Sequence, residues 1–241
     1  MRGRGVDAGA GGVTMSRSAI AVFGGTFDPV HYGHLRAAAE VAERLGVSDF
    51  RLLPAGQPPH RDDTWAESRH RLAMLELALA PHADLSVDER EVQRAGPSYM
   101  DETLASIRDQ CGDLTKNIKE DDELGDLPVI LCLGQDAANH LDRWHRWKRL
   151  LALAHFVVMT RPDSEPRYSN ELAEHFEGRF VDAPEGLMAR PAGRICSVNV
   201  TRLAISSTGI REQLAGGRNP RFLLPSTVLA YIRKHGLYGC R

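Results

Sequence analysis

The chain has 241 residues, with 30 Lys and Arg against 32 Asp and Glu, a formal net charge of −2 and 42% apolar residues. That length holds one large domain or two small ones. The near-neutral balance gives no reason to expect duplex nucleic acid as a partner, which needs clustered Lys and Arg, and leaves room for a local anion site.

Residues 1–18 are rich in Gly, Ala and Arg and carry no apolar core of a secretory signal. They read as a disordered N-terminal extension, and Met15 offers an alternative start. Residues 20–23 are an apolar run that predicts a strand. Gly24-Gly25-Thr26-Phe27-Asp28-Pro29-Val30-His31-Tyr32-Gly33-His34 follows as a loop, and residues 35–45 predict a helix stopped by Gly46. Residues 50–54 predict a second strand, and residues 55–63 a loop around Pro58-Pro59-His60-Arg61. Thr64 and Glu67 stand at capping-box spacing. The helix behind them carries Leu72, Leu75, Ala78 and Leu79 on one face and is limited by Pro81.

Residues 85–87 predict a short strand before Asp88-Glu89-Arg90-Glu91. Ser98 predicts a cap for a helix over about 99–110, with Leu104 and Ile107 inward. Residues 112–125 are polar and acidic and read as an inserted surface loop. Residues 129–133 are a continuously apolar strand, the pattern of a strand covered on both faces. Gly134-Gln135-Asp136 ends it, before a polar helix that carries Trp144 and Trp147. Residues 155–159 predict another such strand, ending at Thr160-Arg161-Pro162. Residues 162–192 show no readable pattern. Residues 195–200 are the last predicted strand; Ser206 or Ser207 then caps a helix stopped by Gly216-Gly217, and a terminal helix runs from Pro225 to His235-Gly236.

Five apolar strands alternating with helices predict an α/β fold, a Rossmann-like parallel sheet with helices on both faces. Ligands of such sheets bind at the carboxyl ends of the strands, near the switch in strand order. The most motif-like stretches, 24–34, 134–136 and 206–211, all follow predicted strands and so converge on one site. The longest apolar run, residues 150–159, is broken by His155 and falls short of the ~18 residues of a membrane span. Cys111, Cys132, Cys196 and Cys240 form no CxxC pair and read as buried or incidental thiols, which suits a reducing cytoplasm.

Neither GxxxxGK(S/T) nor a GxGxxG opening a helix is present, which excludes a P-loop and a dinucleotide fingerprint. Gly24 and Gly25 permit close backbone approach to a ligand, although a tight turn alone accounts for them equally well. A single His at the mouth of a helix reads as a packed or solvated ring. His31 and His34 together, three residues apart behind a Gly-Gly turn, favour an anion. Imidazoles donate to phosphate oxygens and stabilise charge moving onto a leaving pyrophosphate. Ser206-Ser207-Thr208-Gly209-Ile210-Arg211 adds hydroxyls and N–H groups at a second helix start, with Arg211 able to fork onto a phosphate. The bland alternative is a capped helix with a surface arginine. Asp136 fits either a ribose hydroxyl or a helix cap. One of Trp144 and Trp147 fits the core, while the other could stack on a flat base. His60-Arg61 fits a rigid phosphate loop or an exposed turn. No Ser–His–Asp, Cys–His or metal-cage pattern occurs, so a needed metal would come as Mg²⁺ on the triphosphate, with phosphate and water ligands.

Gly24 to His34 resembles the (T/H)xGH signature of the nucleotidyltransferase superfamily, and Ile205-Ser206-Ser207-Thr208-Gly209-Ile210-Arg211 resembles its ISSTxxR motif. From about Ser18 to Tyr238 the chain is similar to the bacterial nicotinate-nucleotide adenylyltransferases. Pro58-Pro59-His60-Arg61, Asp88-Glu89-Arg90-Glu91, Pro97-Ser98-Tyr99, Gly134-Gln135-Asp136, Trp144, Arg161-Pro162 and His235-Gly236-Leu237-Tyr238 extend the match. The resemblance implies a single nucleotidyltransferase (HUP-type) domain over 19–241, whose helical part at about 206–238 completes an ATP site. It implies a cytoplasmic enzyme of NAD biosynthesis that joins ATP and nicotinate mononucleotide into nicotinate adenine dinucleotide, releasing pyrophosphate in one in-line step with Mg²⁺.

By the same resemblance His31, His34 and Arg211 are catalytic and grip the triphosphate, and Gly24, Gly25, Thr26 and Phe27 meet its phosphates. Asp136, Ser206, Ser207 and Thr208 hold the adenosine, and Gly134 and Ile205 also belong to the ATP site. Asp28, His60, Arg61, Ser98, Tyr99, Trp144 and Arg161 serve the mononucleotide. Met100 departs from the Thr usual at its position, and Gly56 and Gln57 lie where relatives may carry Asn. The competing readings are a transferase acting on another acceptor, such as pantetheine phosphate or nicotinamide mononucleotide, and a nucleotide-sensing module without turnover. The sequence leaves the oligomeric state open.

Overall fold

The first strand, β1 (Arg17–Gly25), shows why a continuous apolar run suits the centre of this sheet. Ala19, Ala21 and Phe23 pack into one core, and Ile20 and Val22, on the alternate face, pack into another. The computed structural model describes residues 17–58, 64–116, 127–161 and 164–240. After α1 (Tyr32–Leu45) come β2 (Val47–Pro54), α2 (Ser68–Leu79), β3 (Ser86–Val87), α3 (Arg90–Gln93) and α4 (Met100–Lys116). Then follow β4 (Val129–Gly134), α5 (Gln135–Asn139), α6 (Leu150–Leu153), β5 (His155–Thr160), α7 (Asn170–Phe176), β6 (Phe180–Val181), β7 (Ile195–Asn199), α8 (Ser207–Ala215) and α9 (Ser226–Lys234).

The seven strands pair in parallel in the order β3-β2-β1-β4-β5-β7-β6. Helices α1, α2, α8 and α9 close one face and α4, α6 and α7 the other. The chain moves outward from β1 through β2 to β3, then returns to place β4 on the other flank of β1. The strand order therefore reverses between β1 and β4, where their carboxyl ends splay apart. Among the described residues no helix is long and apolar enough to cross a membrane.

The fold differs from the sequence reading at several elements. A two-residue strand, β6, lies in the stretch without a pattern; two residues are too few to display a period of two. Thr64 and Glu67 do not form a capping box: α2 begins at Ser68, with Glu67 at its N-cap and no side-chain cap bond. Met74, rather than Leu72, completes its buried face, together with the wholly buried Arg71. Helix α4 starts at Met100 and runs on through Gly112 to Lys116, because buried Cys111 continues the stripe of Leu104 and Ile107. The remainder of the expected 112–125 loop lies outside the described residues, as do most of the expected N-terminal extension and His60 and Arg61.

Trp144 and Trp147 are not on a regular helix. Residues 135–149 break into α5 and two single 3-10 turns, at Leu141–Arg143 and Trp147–Arg149, with Trp144 extended between them. The cause is a buried carboxylate: Asp101 of α4 faces His145 at 3.1 Å, Arg149 at 3.3 Å and Arg146 at 3.9 Å. Pairing that charge outweighs helical regularity.

Candidate active site

A cavity of about 230 Å³ opens where β1 and β4 part. Gly24 and Gly25 from the end of β1 and Thr26 just after it line it, with Leu53 from β2, Ala55 from the loop that follows, and Leu131, Cys132, Leu133 and Gly134 from β4. Ser98, Tyr99, Met100, Trp144 and His145 form the opposite wall. Two of the three predicted motif stretches, 24–34 and 134–136, thus meet at this switch point, as parallel-sheet topology requires.

His31 occupies the N-cap of α1 and His34 its first turn. The two imidazoles stack, with centroids 3.8 Å apart and planes 22° from parallel, and Phe27 meets His34 edge-on at 5.1 Å. Gly33 makes room for this: a Cβ there would lie 2.9 Å from the His31 ring. Burial, helped by the positive charge of Arg161, lowers the His31 pKa from 6.5 to about 4. Burial, then His31 and Arg161, hold His34 well below its usual value. Both rings are therefore neutral near pH 7, which lets two imidazoles share one face without repulsion. The Nδ1 atoms of both are buried without a hydrogen-bond partner among the described residues. A buried donor or acceptor left unmade costs about 1–3 kcal/mol, and this site leaves two side by side.

The second half of the site comes from α8. Ser206 caps it by accepting from Gly209 N–H at 3.1 Å, while the Ser207 hydroxyl donates to the Pro29 carbonyl at 3.0 Å. Arg211 donates to the Asp28 carbonyl at 2.6 Å and to Thr208 Oγ1 at 3.1 Å. Its Nε is buried and unpartnered among the described residues, and the exposed Trp65 ring lies 5.5 Å from the guanidinium carbon. Asp28 knits this corner together: its carboxylate accepts from the Tyr238 hydroxyl at 2.6 Å and from Trp65 N–H at 2.8 Å. Burial and the neighbouring Asp28 charge push the Tyr238 phenol far above its ordinary value, so it remains the donor.

On the wall facing the strand ends, Tyr99 stacks on His145 at 4.2 Å, and Asp101 fixes the orientation of His145 through its Nδ1. The Ser98 hydroxyl does not cap α4. It accepts from the N–H groups of Gly56 at 3.0 Å and Gln57 at 3.2 Å, holding the loop after β2 against the cavity. Gly56 is required there, since a Cβ would fall 2.0 Å from the Glu91 carbonyl oxygen. Met100 fills the space over Gly24, its Cε 3.1 Å from where a Cβ would stand.

Of the residues expected from sequence, the structure gathers Gly24, Gly25, Thr26, Gly134, Ser98, Tyr99 and Trp144 around the cavity. His31 and His34 stand together at the start of α1, and Arg211 reaches the same loop through the Asp28 carbonyl. Asp28, Phe27 and Arg161 stand outside the cavity lining. Asp28 is buried with both carboxylate oxygens engaged, so it shapes the loop rather than facing the cavity. Phe27 is likewise buried, its ring packed on Phe23 and His34, with its backbone in the left-handed region at φ +50°. Arg161, which follows β5, lies outside the cavity lining and acts electrostatically on the histidine pair. Asp136 is exposed in the first turn of α5. Sequence reasoning missed His145, Asp101, Glu91, Trp65 and Arg71. Only Glu91 lay in a motif, and its carboxyl, raised chiefly by burial, lines the cavity.

The depressed histidines make stability depend on pH. Unfolded, His31 takes up a proton near pH 6.5; folded, only near 4. Between those values the unfolded chain holds more protons, so stability rises with pH. The contribution is fully present above about 6.5 and is lost as pH falls toward 4, by roughly 3 kcal/mol at most. The melting temperature is expected to drop between pH 7 and 5, and His31→Gln to flatten that slope. Identical slopes would show that His31 is not held neutral by burial.

A family model described as cytidylyltransferase-like matches residues 22–213. A relative from Methylococcus capsulatus, named "Probable nicotinate-nucleotide adenylyltransferase", is 48% identical over 91% of this chain and 99% of its own length. One of the same name from Marinobacter nauticus is 43% identical over 91% of this chain and 96% of its own. The solved Plasmodium falciparum nicotinic acid mononucleotide adenylyltransferase complexed with NaAD matches with a TM-score of 0.68. It is 15% identical, covering 93% of this chain and 99% of that one, a likeness of fold.

Proposed function

This chain belongs to the cytidylyltransferase-like family and, within it, to the nicotinate-nucleotide adenylyltransferases, and from that premise we propose how its cleft works. It transfers the adenylyl group of ATP to nicotinate mononucleotide, giving nicotinate adenine dinucleotide and pyrophosphate in the synthesis of NAD. A phosphate oxygen of the mononucleotide forms a bond to the α-phosphorus of ATP, and the bond from that phosphorus to the bridging oxygen of pyrophosphate breaks. One observation carries the assignment of the triphosphate: the stacked His31 and His34 rings each leave Nδ1 buried without a partner among the described residues, and Arg211, bonded to the Asp28 carbonyl of the loop that leads to His31, leaves Nε so as well. A triphosphate supplies the acceptors they lack, and they stabilise charge as it moves onto the leaving pyrophosphate. The apolar cavity bordered by Trp144 and Tyr99 suits the flat nicotinate ring.

Mg²⁺ would accompany ATP and neutralise phosphate charge. The donors at the clamp are imidazole and guanidinium, and the Asp28 carboxylate beside them has both oxygens engaged. The ion would therefore be held through phosphate and water. Cys132, Cys196 and Cys240, which form no disulfide among the described residues, suit a reducing cytoplasm as the compartment.

The test is pyrophosphate release from ATP and Mg²⁺ with a panel of acceptors: nicotinate mononucleotide, nicotinamide mononucleotide and pantetheine phosphate. Release is expected with nicotinate mononucleotide. Turnover of pantetheine phosphate alone would move the chain to another branch of the superfamily, and ATP binding with no turnover would mark a sensor. Within the same assay, Trp144→Ala is expected to raise the KM for the mononucleotide about 10-fold, the loss of a stacked ring, with the KM for ATP little changed. A selective loss of ATP affinity would place Trp144 on the other substrate.

A further inference from the structure

The side chain of Arg71, in the first turn of α2, is wholly buried in a position that the helix otherwise fills with apolar residues. Its guanidinium donates from one terminal nitrogen to the carbonyls of Thr26 at 2.8 Å and Ala55 at 2.6 Å. The other terminal nitrogen donates to the Gly56 carbonyl at 2.8 Å, and Nε to that of Ala66 at 3.1 Å. These four carbonyls belong to three separate segments. Thr26 lies in the loop that carries the histidines. Ala55 and Gly56 lie in the loop on the acceptor side. Ala66 lies in the turn beside Trp65. Thr26 and Ala55 themselves line the cavity.

Packing alone does not call for this residue. Burying a cation is costly, and an apolar side chain of similar volume commonly serves stability as well. A guanidinium gives what an apolar side chain cannot, a rigid planar fork that fixes several backbone oxygens at set angles. Resting on the adenylyl-transfer reading above, we propose that Arg71 is the positioning residue that sets the spacing between the triphosphate loop and the acceptor loop. It touches neither substrate. In a transfer without a covalent intermediate the rate depends on holding the two reacting oxygens and the α-phosphorus in line, and small misplacements cost large factors.

Arg71→Lys keeps the charge and removes the fork. It is expected to lower kcat about 30-fold with both KM values within about threefold of the parent enzyme. Leu75→Ala, a cavity in the same helix away from the cleft, is the control for stability: its melting temperature falls by as much or more while kcat stays within about twofold. Arg71→Gln, neutral and able to reach one carbonyl, is assayed at 10 °C per folded molecule and is expected to show the same loss of kcat. The proposal is overturned if either Arg71 variant turns over at the parent rate, or if its loss of rate merely follows its loss of stability as in Leu75→Ala. A parent enzyme that releases no pyrophosphate from ATP and nicotinate mononucleotide would instead overturn the adenylyl-transfer reading.

Discussion

Replacing His34 by Ala is expected to lower kcat about 10²–10³-fold while leaving the KM for nicotinate mononucleotide within about threefold. His34 lies in the first turn of α1, stacked on His31 and edge-on to Phe27, with Nδ1 buried and unpartnered among the described residues. An imidazole kept neutral by burial and by nearby positive charge has little to do in the free enzyme. Its hydrogen-bonding capacity becomes useful only when an anion arrives, and most useful when negative charge grows on the departing pyrophosphate. Such an interaction is stronger in the transition state than in the ground state and therefore appears in kcat. The acceptor wall of Trp144, Tyr99 and His145 is built from the residue before α4 and the turns after α5, so its affinity should not change. Steady-state kinetics with each substrate varied in turn reads this directly. His34→Gln, which keeps a donor, should recover part of the rate. An unchanged kcat would remove His34 from the reacting end of the triphosphate.

What could be read from sequence, and what could not, follows the range of the interactions involved. β1, its loop and α1 were legible because a local apolar run, two glycines and two histidines at i and i+3 carry their own signal. The central strands β4 and β5 were legible because both faces are covered, which forces continuous apolar residues. The segment 135–149 was not legible, because its breaks answer to Asp101, more than thirty residues earlier in the chain. The role of Ser98 was misread for the same reason: its hydroxyl serves the loop at 56–57 rather than its own helix. Arg71 gave no signal, since an arginine in the first turn of a helix ordinarily belongs to solvent. The pairing of the two clamp halves was suggested by motifs. Its physical basis lies in the bonds from Ser207 to Pro29 and from Arg211 to Asp28, which sequence does not show.

Those bonds define the second large effect. Arg211→Ala is expected to lower kcat/KM for ATP about 10³-fold, and Arg211→Lys about 10²-fold, with the mononucleotide KM nearly constant. The guanidinium is held at both terminal nitrogens, by Asp28 O at 2.6 Å and Thr208 Oγ1 at 3.1 Å, and has Nε left over. Lysine keeps the charge but cannot hold the Asp28 carbonyl and present a further N–H in a fixed plane. The larger loss in Arg211→Ala over Arg211→Lys therefore measures charge, and the loss that remains in Arg211→Lys measures geometry. Arg211→Lys indistinguishable from the parent would show that only a point charge is needed. Combining His34→Ala with Arg211→Ala is the sharper test. If imidazole and guanidinium stabilise the same developing charge, the double variant loses less than the product of the single losses, because either change alone already disables the shared interaction. Losses that multiply in full would mean two independent contacts, and α8 would then bind ATP without sharing in the chemistry at α1.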